Sequence, residues 1–274
     1  MLRSLVHAVS VILLVGVSHQ VRAQDDTTAM LFDALRMDIL EEVIITEGQG
    51  HIRETAETYL DQRRVDGFIQ QTQYIYDPQS IRDRIYAGMR DGLTEDQRAV
   101  ALAFYQSDLG TLIAELEATA RQAISADEVE EAAYSIAQSA SEQDDPRIAT
   151  IERAIEDLEL VEMNMSGAMN AQYSFLMPLT KVDRLGLSQG EILSMLDEAA
   201  EDTMGSIAEW LVAFMFMAYA PLDDEQLDQY VSYQLSENGD AVNKALFKLF
   251  NEIERDSSAA LGKELAEALQ SQEL

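Results

Sequence analysis

Apolar residues recur every three or four positions along most of this chain, which is the spacing of an amphipathic helix. Between residues 27 and 46 they form one such stripe, made of Leu31, Leu35, Ile39, Leu40 and Val43. We expect that helix to end before Gly48 and Gly50, and a second helix to run from His51 through Ile69, because glycine often follows the last turn of a helix. Alternation typical of β-strands is scarce, so the pattern predicts an all-α protein.

Proline and capping residues mark the starts of further helices. Asp77 precedes Pro78, which gives a cap followed by proline at the first helical position. Ser188 and Glu191 have the spacing of a capping box. Between these two starts lies a polar, proline-marked segment, SEQDDPR at residues 141–147, which is the best candidate for a boundary between two halves of the chain.

The apolar pattern is longest in the second half of the chain. Its stripe predicts a single helix from about Ile148 to Phe175. Further along, no charged residue occurs from Trp210 to Leu222. That run is shorter than the roughly 20 residues of a membrane-spanning helix, so we interpret it as a helix buried at the centre of the fold.

Two stretches of the chain carry the same landmarks at the same spacing: LTEDQRAVALAFYQSDLG at residues 93–110 and LDDEQLDQYVSYQLSENG at residues 222–239. Leu93, Gln97, Ser107 and Gly110 recur as Leu222, Gln226, Ser236 and Gly239. In each copy a threonine or aspartate can cap one helix, the serine can cap the next, and the glycine lets two helices approach closely. This predicts two pseudo-repeated helical halves, residues 24–140 and 148–274, packed into one bundle-like unit that shares the Trp210 helix. Chance similarity is the alternative.

The first 23 residues have the composition of a secretory signal. A basic start at Arg3 precedes an apolar stretch from Leu5 to Val17, and the segment closes on small residues at Ala23. The apolar stretch is shorter than the roughly 18 residues that a membrane span needs. We therefore expect residues 1–23 to be a cleaved signal peptide and the protein to be periplasmic, without a membrane span after cleavage. A retained anchor is the alternative.

The charge of the chain narrows the possible partners. Without residues 1–23, 17 basic and 50 acidic residues remain, a net charge of −33. Such a surface repels phosphate backbones and anionic lipid, which argues against nucleic acid or a membrane surface as the partner. There is no cysteine, so stability has to come from an apolar core, and 47% hydrophobic residues can supply one.

The first of the two similar stretches also resembles a known family motif. The matching residues are Leu93, Thr94, Phe104, Tyr105, Ser107 and Gly110. This pattern resembles the bacterial domain of unknown function 2059, and segments such as ALRMDILEEVIITEGQG and SGAMNAQYSF resemble its longer alphaproteobacterial members. The usual proline after the serine is Asp108 here, and the second copy has Gln234 where the first has Tyr105. The resemblance implies an exported, all-helical protein and no catalytic residues, because the family has no assigned chemistry.

The chain has only three histidines, and two of them lie within residues 1–23. Once residues 1–23 are removed, His51 is the one histidine left, so sites that need several histidines are excluded within one chain. Glu47 and His51 would share a face of a helix, but a solvated or capping histidine is the simpler interpretation. Residues 186–190, GLSQG, match the G-x-S-x-G pattern of hydrolases. No apolar strand precedes Ser188 and no histidine follows it, so we interpret Ser188 as a helix cap.

Two further patterns are candidates for metal sites. Methionines are dense from Met163 to Met217, and thioether sulfur can hold Cu(I), but no histidine or cysteine assists and core filling is the simpler interpretation. Acidic clusters at Asp144-Asp145 and at Asp223-Asp224-Glu225 lack the alternating ligands of a calcium loop, so we interpret them as caps and linkers. We therefore expect no metal, no cofactor and no assignable catalytic residue.

One segment has polar residues that a buried stripe would not need. In EMNMSGAMNAQYSF, residues 162–175, these are Asn164, Asn170, Gln172 and Tyr173, which surround the small residues 166–168. Small residues permit a close helix crossing, across which the amides could satisfy one another. The alternative is that the segment forms the polar wall of a ligand cleft.

The leading functional hypothesis is a non-catalytic periplasmic module that binds a protein or small-molecule partner of unknown identity. The alternative is an envelope hydrolase that uses paired carboxylates, since such pairs need no histidine. A cleft with two acids about 5 to 10 Å apart, one of them with a raised pKa, would favour the enzyme. An apolar groove without such a pair would favour binding.

Overall fold

The computed structural model describes residues 27–182 and 185–271, and these residues are helical almost throughout, with no β-strand among them. Residues 27–34 are helical. The helices that follow are α1 (Met37–Tyr59), α2 (Gln62–Thr72), a 3-10 turn (Gln73–Tyr76), α3 (Pro78–Gly92), α4 (Glu95–Tyr105), α5 (Asp108–Ala123), α6 (Asp127–Glu142), α7 (Pro146–Asp157), α8 (Leu160–Leu179), α9 (Gln189–Ala218), α10 (Asp224–Gln234) and α11 (Glu237–Gln270). The all-α prediction is confirmed. The predicted signal peptide, residues 1–23, lies outside the described residues.

The helix starts predicted from capping residues are found where expected. Asp77 accepts a hydrogen bond from the N–H of Ser80 and precedes a proline at the first position of α3. Ser188 and Glu191 form a complete capping box at the start of α9. Each such cap satisfies N–H groups that the helix itself leaves unpaired, which typically contributes about 1 kcal/mol.

The helix boundaries expected in the first half are wrong in two places. Helix α1 runs without interruption through Gly48 and Gly50 instead of ending before them. The reason is tertiary, because a side chain at position 48 would collide with the ring of Tyr76, so the glycine makes room for a neighbour and does not end the helix. The actual breaks are at Arg36, which has a left-handed backbone, and at Leu60, which is extended.

Two expectations for the second half also need correction. The long helix predicted from Ile148 to Phe175 is divided into α7 and α8 by Glu159, whose backbone is left-handed with φ 52°. The run that begins at Trp210 is the last third of α9 and not a fully buried central helix. Alternate positions along this part of α9 are only half-buried, and two of them, Trp210 and Phe214, line a cavity between the helices.

The two similar stretches make corresponding capping interactions. Thr94 and Gln97 form a capping box at α4, and Asp223 and Gln226 form one at α10. Both helices contain 11 residues. The hydrogen bonds that the backbone N–H groups donate to the capping side chains are 3.2 Å long at α4 and 2.8 Å long at α10. The capping contacts of the two stretches therefore correspond to each other. Superposition of the two whole halves stays a prediction.

The serines that follow these helices also act alike. Ser107 accepts from the N–H of Gly110 at 3.1 Å, and its hydroxyl donates to the carbonyl three residues earlier at 2.6 Å. Ser236 makes the same two bonds, at 3.2 Å to the N–H of Gly239 and at 2.6 Å to the carbonyl three residues earlier. Between the two motifs, the rings of Phe104 and Tyr233 stack with their centroids 3.5 Å apart. The two motifs therefore meet face to face.

Helix α11 joins the two halves of the chain. It packs against α8 of its own half and against α1, α3 and α4 of the other half. The largest apolar core accordingly combines side chains from both halves, for example Ile85 and Met89 from α3 with Leu249 and Ile253 from α11. Helix α9 contacts α5, α6, α7 and α8. The two halves thus share their core, and the segment 141–147 contains the turn between α6 and α7.

A buried arginine closes the end of α3. Arg98 on α4 has no exposed surface, and its guanidinium donates to the carbonyls of Arg90 and Leu93. A positive charge next to the last carbonyls of a helix interacts favourably with the helix dipole. Arg98 therefore has a structural role. Among the described residues, no helix combines the length and apolarity that crossing a membrane requires.

Candidate functional site

An internal cavity of about 660 Å³ opens between the helices and is walled mainly by apolar side chains. Helices α1, α5, α8, α9, α10 and α11 all contribute to it. Half-buried members of the wall include Leu40, Ile44, Leu160, Phe214, Leu246 and Phe250. Typical small-molecule sites have volumes of roughly 300 to 1,000 Å³ and are predominantly apolar. The size and lining of this cavity are those of a ligand site.

The apolar run on α9 supplies an aromatic part of this wall. Trp210 and Phe214 are one helical turn apart, and their rings stack with centroids 5.1 Å apart and nearly parallel planes. Both rings line the cavity. The sequence places these residues one turn apart on the same face, but their neighbours on α8 and α11 decide whether that face meets a core or a cavity.

Three acidic side chains line the cavity, Glu47, Glu117 and Glu254, and Glu117 is the one held by tyrosine hydroxyls. Glu117 on α5 accepts hydrogen bonds from the hydroxyls of Tyr219 and Tyr230, each at 2.5 Å. Both hydroxyls donate to the same carboxylate oxygen, Oε1. The surface that Glu117 retains faces the cavity, which it lines together with both tyrosines. We call Glu117, Tyr219 and Tyr230 the acidic floor.

Burial governs the ionisation of the acidic floor. It raises the pKa of Glu117, and the donating hydroxyls of Tyr219 and Tyr230 hold back part of that rise. Burial beside Glu117 also raises the pKa of Tyr105, Tyr219 and Tyr230 well above the usual range. All three tyrosines are therefore neutral hydroxyls at physiological pH. A carboxyl group held by neutral donors in an apolar cavity is the kind of perturbed acid that occurs at functional sites.

Basic side chains do not neutralise this acid. Arg121 is one turn beyond Glu117 on the same helix, but its guanidinium is bonded to both oxygens of Glu47 on α1, at 2.8 and 2.6 Å. Ser125 adds a third hydrogen bond to Glu47. Burial opposes ionisation of Glu47, yet the bonds from Arg121 and Ser125 outweigh it and lower its pKa. Arg121 is the one arginine or lysine among the described residues that line the cavity.

Gln234 on α10 extends the hydrogen-bond chain from the floor. Its side-chain N–H donates to the hydroxyl oxygen of Tyr230, and the residue is only 7% exposed. Its own carbonyl oxygen, Oε1, is buried and has no donor among the described residues. Buried acceptors without a donor are uncommon and cost about 1 to 3 kcal/mol. The floor therefore has acceptors in excess of donors.

The polar segment of α8 matches parts of both interpretations. Gly167 lies against the side chain of Asn251 on α11, so the small residues do permit a close helix crossing. Asn164 lines the cavity, and its amide donates to the carbonyl of Leu160 in its own helix. Asn170 and Gln172 are exposed, and the hydroxyl of Tyr173 accepts from Gln189. The expectation that these amides satisfy one another across the crossing is wrong.

The other residues considered from the sequence are placed as follows. His51 is exposed at the edge of the cavity, one turn from Glu47 on the uninterrupted α1. Ser188 caps α9 through its hydroxyl and is not positioned as a nucleophile. Asp145 and Asp223 are helix caps. No group of three acidic, histidine or cysteine side chains in the described part of the chain is arranged to hold a metal ion.

The acidic floor is not predicted by the sequence. Tyr219 and Tyr230 are 102 and 113 residues from Glu117 along the chain, so no local spacing connects them. One signal is present, because Glu117 lies one turn after the apolar residues Ile113 and Ala114 on the same helix face. A single acid at such a position also fits a partly exposed helix edge, which makes the signal weak.

Comparison with known proteins supports the family resemblance over part of the chain. The model of a bacterial family described as "Uncharacterized protein conserved in bacteria (DUF2059)" matches residues 79–139, which confirms the resemblance for that segment. No curated protein and no solved structure matches the chain. The matched segment covers nearly all of α3 and most of α6, with α4 and α5 between them, and so includes Glu117, whereas Tyr219 and Tyr230 lie outside it.

Proposed function

We propose that this protein is an exported periplasmic binding protein that holds a small molecule with an apolar body in its internal cavity. The observation that carries the proposal is the cavity itself, about 660 Å³ with a mainly apolar wall. Leu40 and Leu246 on opposite helices, α1 and α11, remain half-buried there. Covering apolar surface contributes roughly 25 cal/mol per Å² removed from water, so an apolar ligand would stabilise this wall.

Filling the cavity should prevent binding. We expect wild-type protein to bind the neutral apolar dye Nile red with enhanced fluorescence. Leu246→Trp places a larger indole inside the cavity and should weaken dye binding by at least about tenfold, which corresponds to about 1.4 kcal/mol. Fluorescence titration measures both affinities, and circular dichroism checks that the variant is folded.

A matched substitution controls for the added tryptophan. Leu193→Trp makes the same change on α9 at a side chain that is 51% exposed and does not line the cavity. It should bind the dye as wild type does. The binding proposal would be contradicted if wild type bound no dye, or if Leu246→Trp bound it unchanged.

Export is the second part of the proposal and is supported by residues 1–23 alone. Their basic start, short apolar stretch and small residues up to Ala23 have the order of a signal peptide. N-terminal sequencing of protein recovered from the periplasm is expected to begin at Gln24. Mature material that retains Arg3 would instead indicate an uncleaved anchor.

A hydrolase that uses paired carboxylates stays the second candidate. Glu47 and Glu117 line the same cavity and their pKa values are shifted in opposite directions, as in many acid–base pairs. Glu47, however, already accepts three hydrogen bonds from Arg121 and Ser125, and the guanidinium of Arg121 pairs with its charge. This occupation favours binding. Hydrolysis of a glycoside or ester that Glu117→Gln abolishes would reverse the ranking.

A further inference from the structure

The cavity has two chemically different regions, and the polar one restricts the ligand. The walls on α1, α9 and α11 are mainly apolar, while the acidic floor collects hydrogen-bond acceptors. A ligand must match both regions at once, because a polar group left unpaired on either side costs affinity. The hydrogen bonds of the floor indicate which polar group would fit.

The floor has already used its own donors. The hydroxyl hydrogens of Tyr219 and Tyr230 both go to Oε1 of Glu117. The second oxygen, Oε2, accepts no hydrogen bond from the described residues. Gln234 adds an acceptor without a donor close by, although this oxygen is itself buried, and one N–H of its amide is bonded to Tyr230. A ligand group that meets Oε2 of the ionised Glu117 must therefore donate a hydrogen bond.

When Glu117 is ionised, the floor also has a negative charge that no basic side chain balances. Arg121, the nearest basic side chain on the same helix, is held by Glu47. The tyrosines around Glu117 are neutral hydroxyls. An ionised carboxylate in a water-poor environment is costly unless a cation pairs with it. A ligand group that is both a hydrogen-bond donor and a cation would supply the missing donor and the missing positive charge.

Aromatic rings elsewhere in the cavity offer a second attraction for cations. Trp210 and Phe214 stack on one side. Aromatic faces attract ammonium groups within about 6 Å of the ring centre, with tryptophan the most effective. The net charge of the whole protein, −31 over the full sequence, would also draw cations toward the opening.

We infer, on the basis of the proposed binding function, that the ligand is an amphipathic amine whose protonated nitrogen pairs with Oε2 of Glu117. Its apolar body lies along the wall formed by α1, α9 and α11, and its ammonium group reaches the acidic floor. The ammonium supplies both the missing donors and the missing charge. Fatty acids, which bring a second carboxylate, are unsuited to this floor.

The test compares three probes with one alkyl chain: decylamine, decanol and decanoate. Isothermal titration at neutral pH in an amine-free buffer should show decylamine binding at least tenfold more tightly than decanol, and decanoate most weakly. Glu117→Gln keeps the shape and an oxygen for both tyrosines but replaces the free acceptor by an N–H₂ donor. It should bring the ratio of amine to alcohol affinity close to one.

A control variant and a salt series separate this site from general attraction to an acidic surface. Glu131→Gln removes the same charge from an exposed position on α6 that does not line the cavity, and it should leave the ratio unchanged. In 1 M sodium chloride the Debye length falls to about 3 Å, so surface attraction disappears while preference at a buried carboxylate persists. The salt series uses wild-type protein and decides the question even if Glu117→Gln fails to fold.

Each outcome has a distinct meaning. Failure of all three probes and of Nile red to bind would refute the cavity-binding function. Equal affinity for decanol and decylamine would overturn the amine inference and leave cavity binding intact. An amine preference that survives in Glu117→Gln, or that is lost in high salt, would assign the preference to the acidic surface and also overturn it.

Discussion

Gly110→Ala and Gly239→Ala are each expected to lower the melting temperature by roughly 6 to 12 °C, since overpacking costs about 3 kcal/mol and a chain of this size loses about 2 to 4 °C per kcal/mol. At both positions a methyl group would lie under 3.0 Å from a backbone carbonyl, that of Phe104 or that of Tyr233. Backbone cannot rotate away as a flexible side chain can. The cost should therefore be similar at the two sites.

At two other glycines we expect the opposite effect, a higher melting temperature with alanine. Gly67 and Gly205 lie in the interiors of α2 and α9, and no neighbouring atom is within 4 Å of the position that an alanine methyl group would occupy. Alanine is a better helix former than glycine by about 1 kcal/mol, so Gly67→Ala and Gly205→Ala should melt slightly higher than wild type. Thermal melts of the four variants decide the matter. A rise at Gly110 and Gly239 as well would show that neither site is closely packed.

Removing the hydroxyl groups above Glu117 is expected to destabilise the protein in a pH-dependent way. The double variant Tyr219→Phe/Tyr230→Phe leaves the carboxylate without its two donors. A hydrogen bond to a charged group contributes about 1.5 to 3 kcal/mol, so the loss at pH 8 should be about 3 to 6 kcal/mol. Chemical denaturation at several pH values measures it.

The direction of the pH dependence follows from the raised pKa of Glu117. Because the folded-state pKa lies above the ordinary value of 4.5, the fold favours the neutral acid, and the contribution of Glu117 to stability falls as pH rises from about 4.5 through the folded pKa. Tyr105, Tyr219 and Tyr230 face the group from other helices and stay neutral, and Arg121 on its own helix is paired with Glu47. In the double variant the folded pKa rises further.

The difference in unfolding free energy between wild type and the double variant should therefore be small near pH 4 and should grow toward pH 8. Glu117→Gln does not titrate and serves as the reference background. When the two phenylalanines are introduced into Glu117→Gln, the resulting loss of unfolding free energy should be the same at every pH from 4 to 8. A constant difference in the wild-type background as well would mean that Glu117 is not the group that the tyrosines stabilise.

Local signals in the sequence are sufficient to predict the all-α class and the first residues of many helices. Asp77 with Pro78 and Ser188 with Glu191 identify their helices because capping depends on residues three or four positions apart. The close approach at Gly110 is also accessible, since the serine cap and the glycine belong to one short motif. Such features depend on neighbours along the chain and not on the packing of distant helices.

Long-range packing explains why the other predictions from the sequence were wrong or could not be made. Gly48 looks like a helix end in the sequence, but Tyr76 from another element fills the space beside it and α1 continues. Glu159 interrupts the apolar stripe that continues from α7 into α8, although its own side chain is an ordinary helix former. The acidic floor combines α5 with α10 and the end of α9, and no periodicity in one helix indicates its partners in another.

Helix α11 has a consequence for the order in which the chain can mature. It is synthesised after α1 to α10, yet its side chains complete the core around Ile85 and Met89 on α3. Domains generally fold as units while a chain is being made. Without α11 the apolar face of the first half is uncovered, so this core stays incomplete until α11 has been made. A core that closes late would suit the export that we propose, because an incompletely folded precursor can pass through a translocation channel.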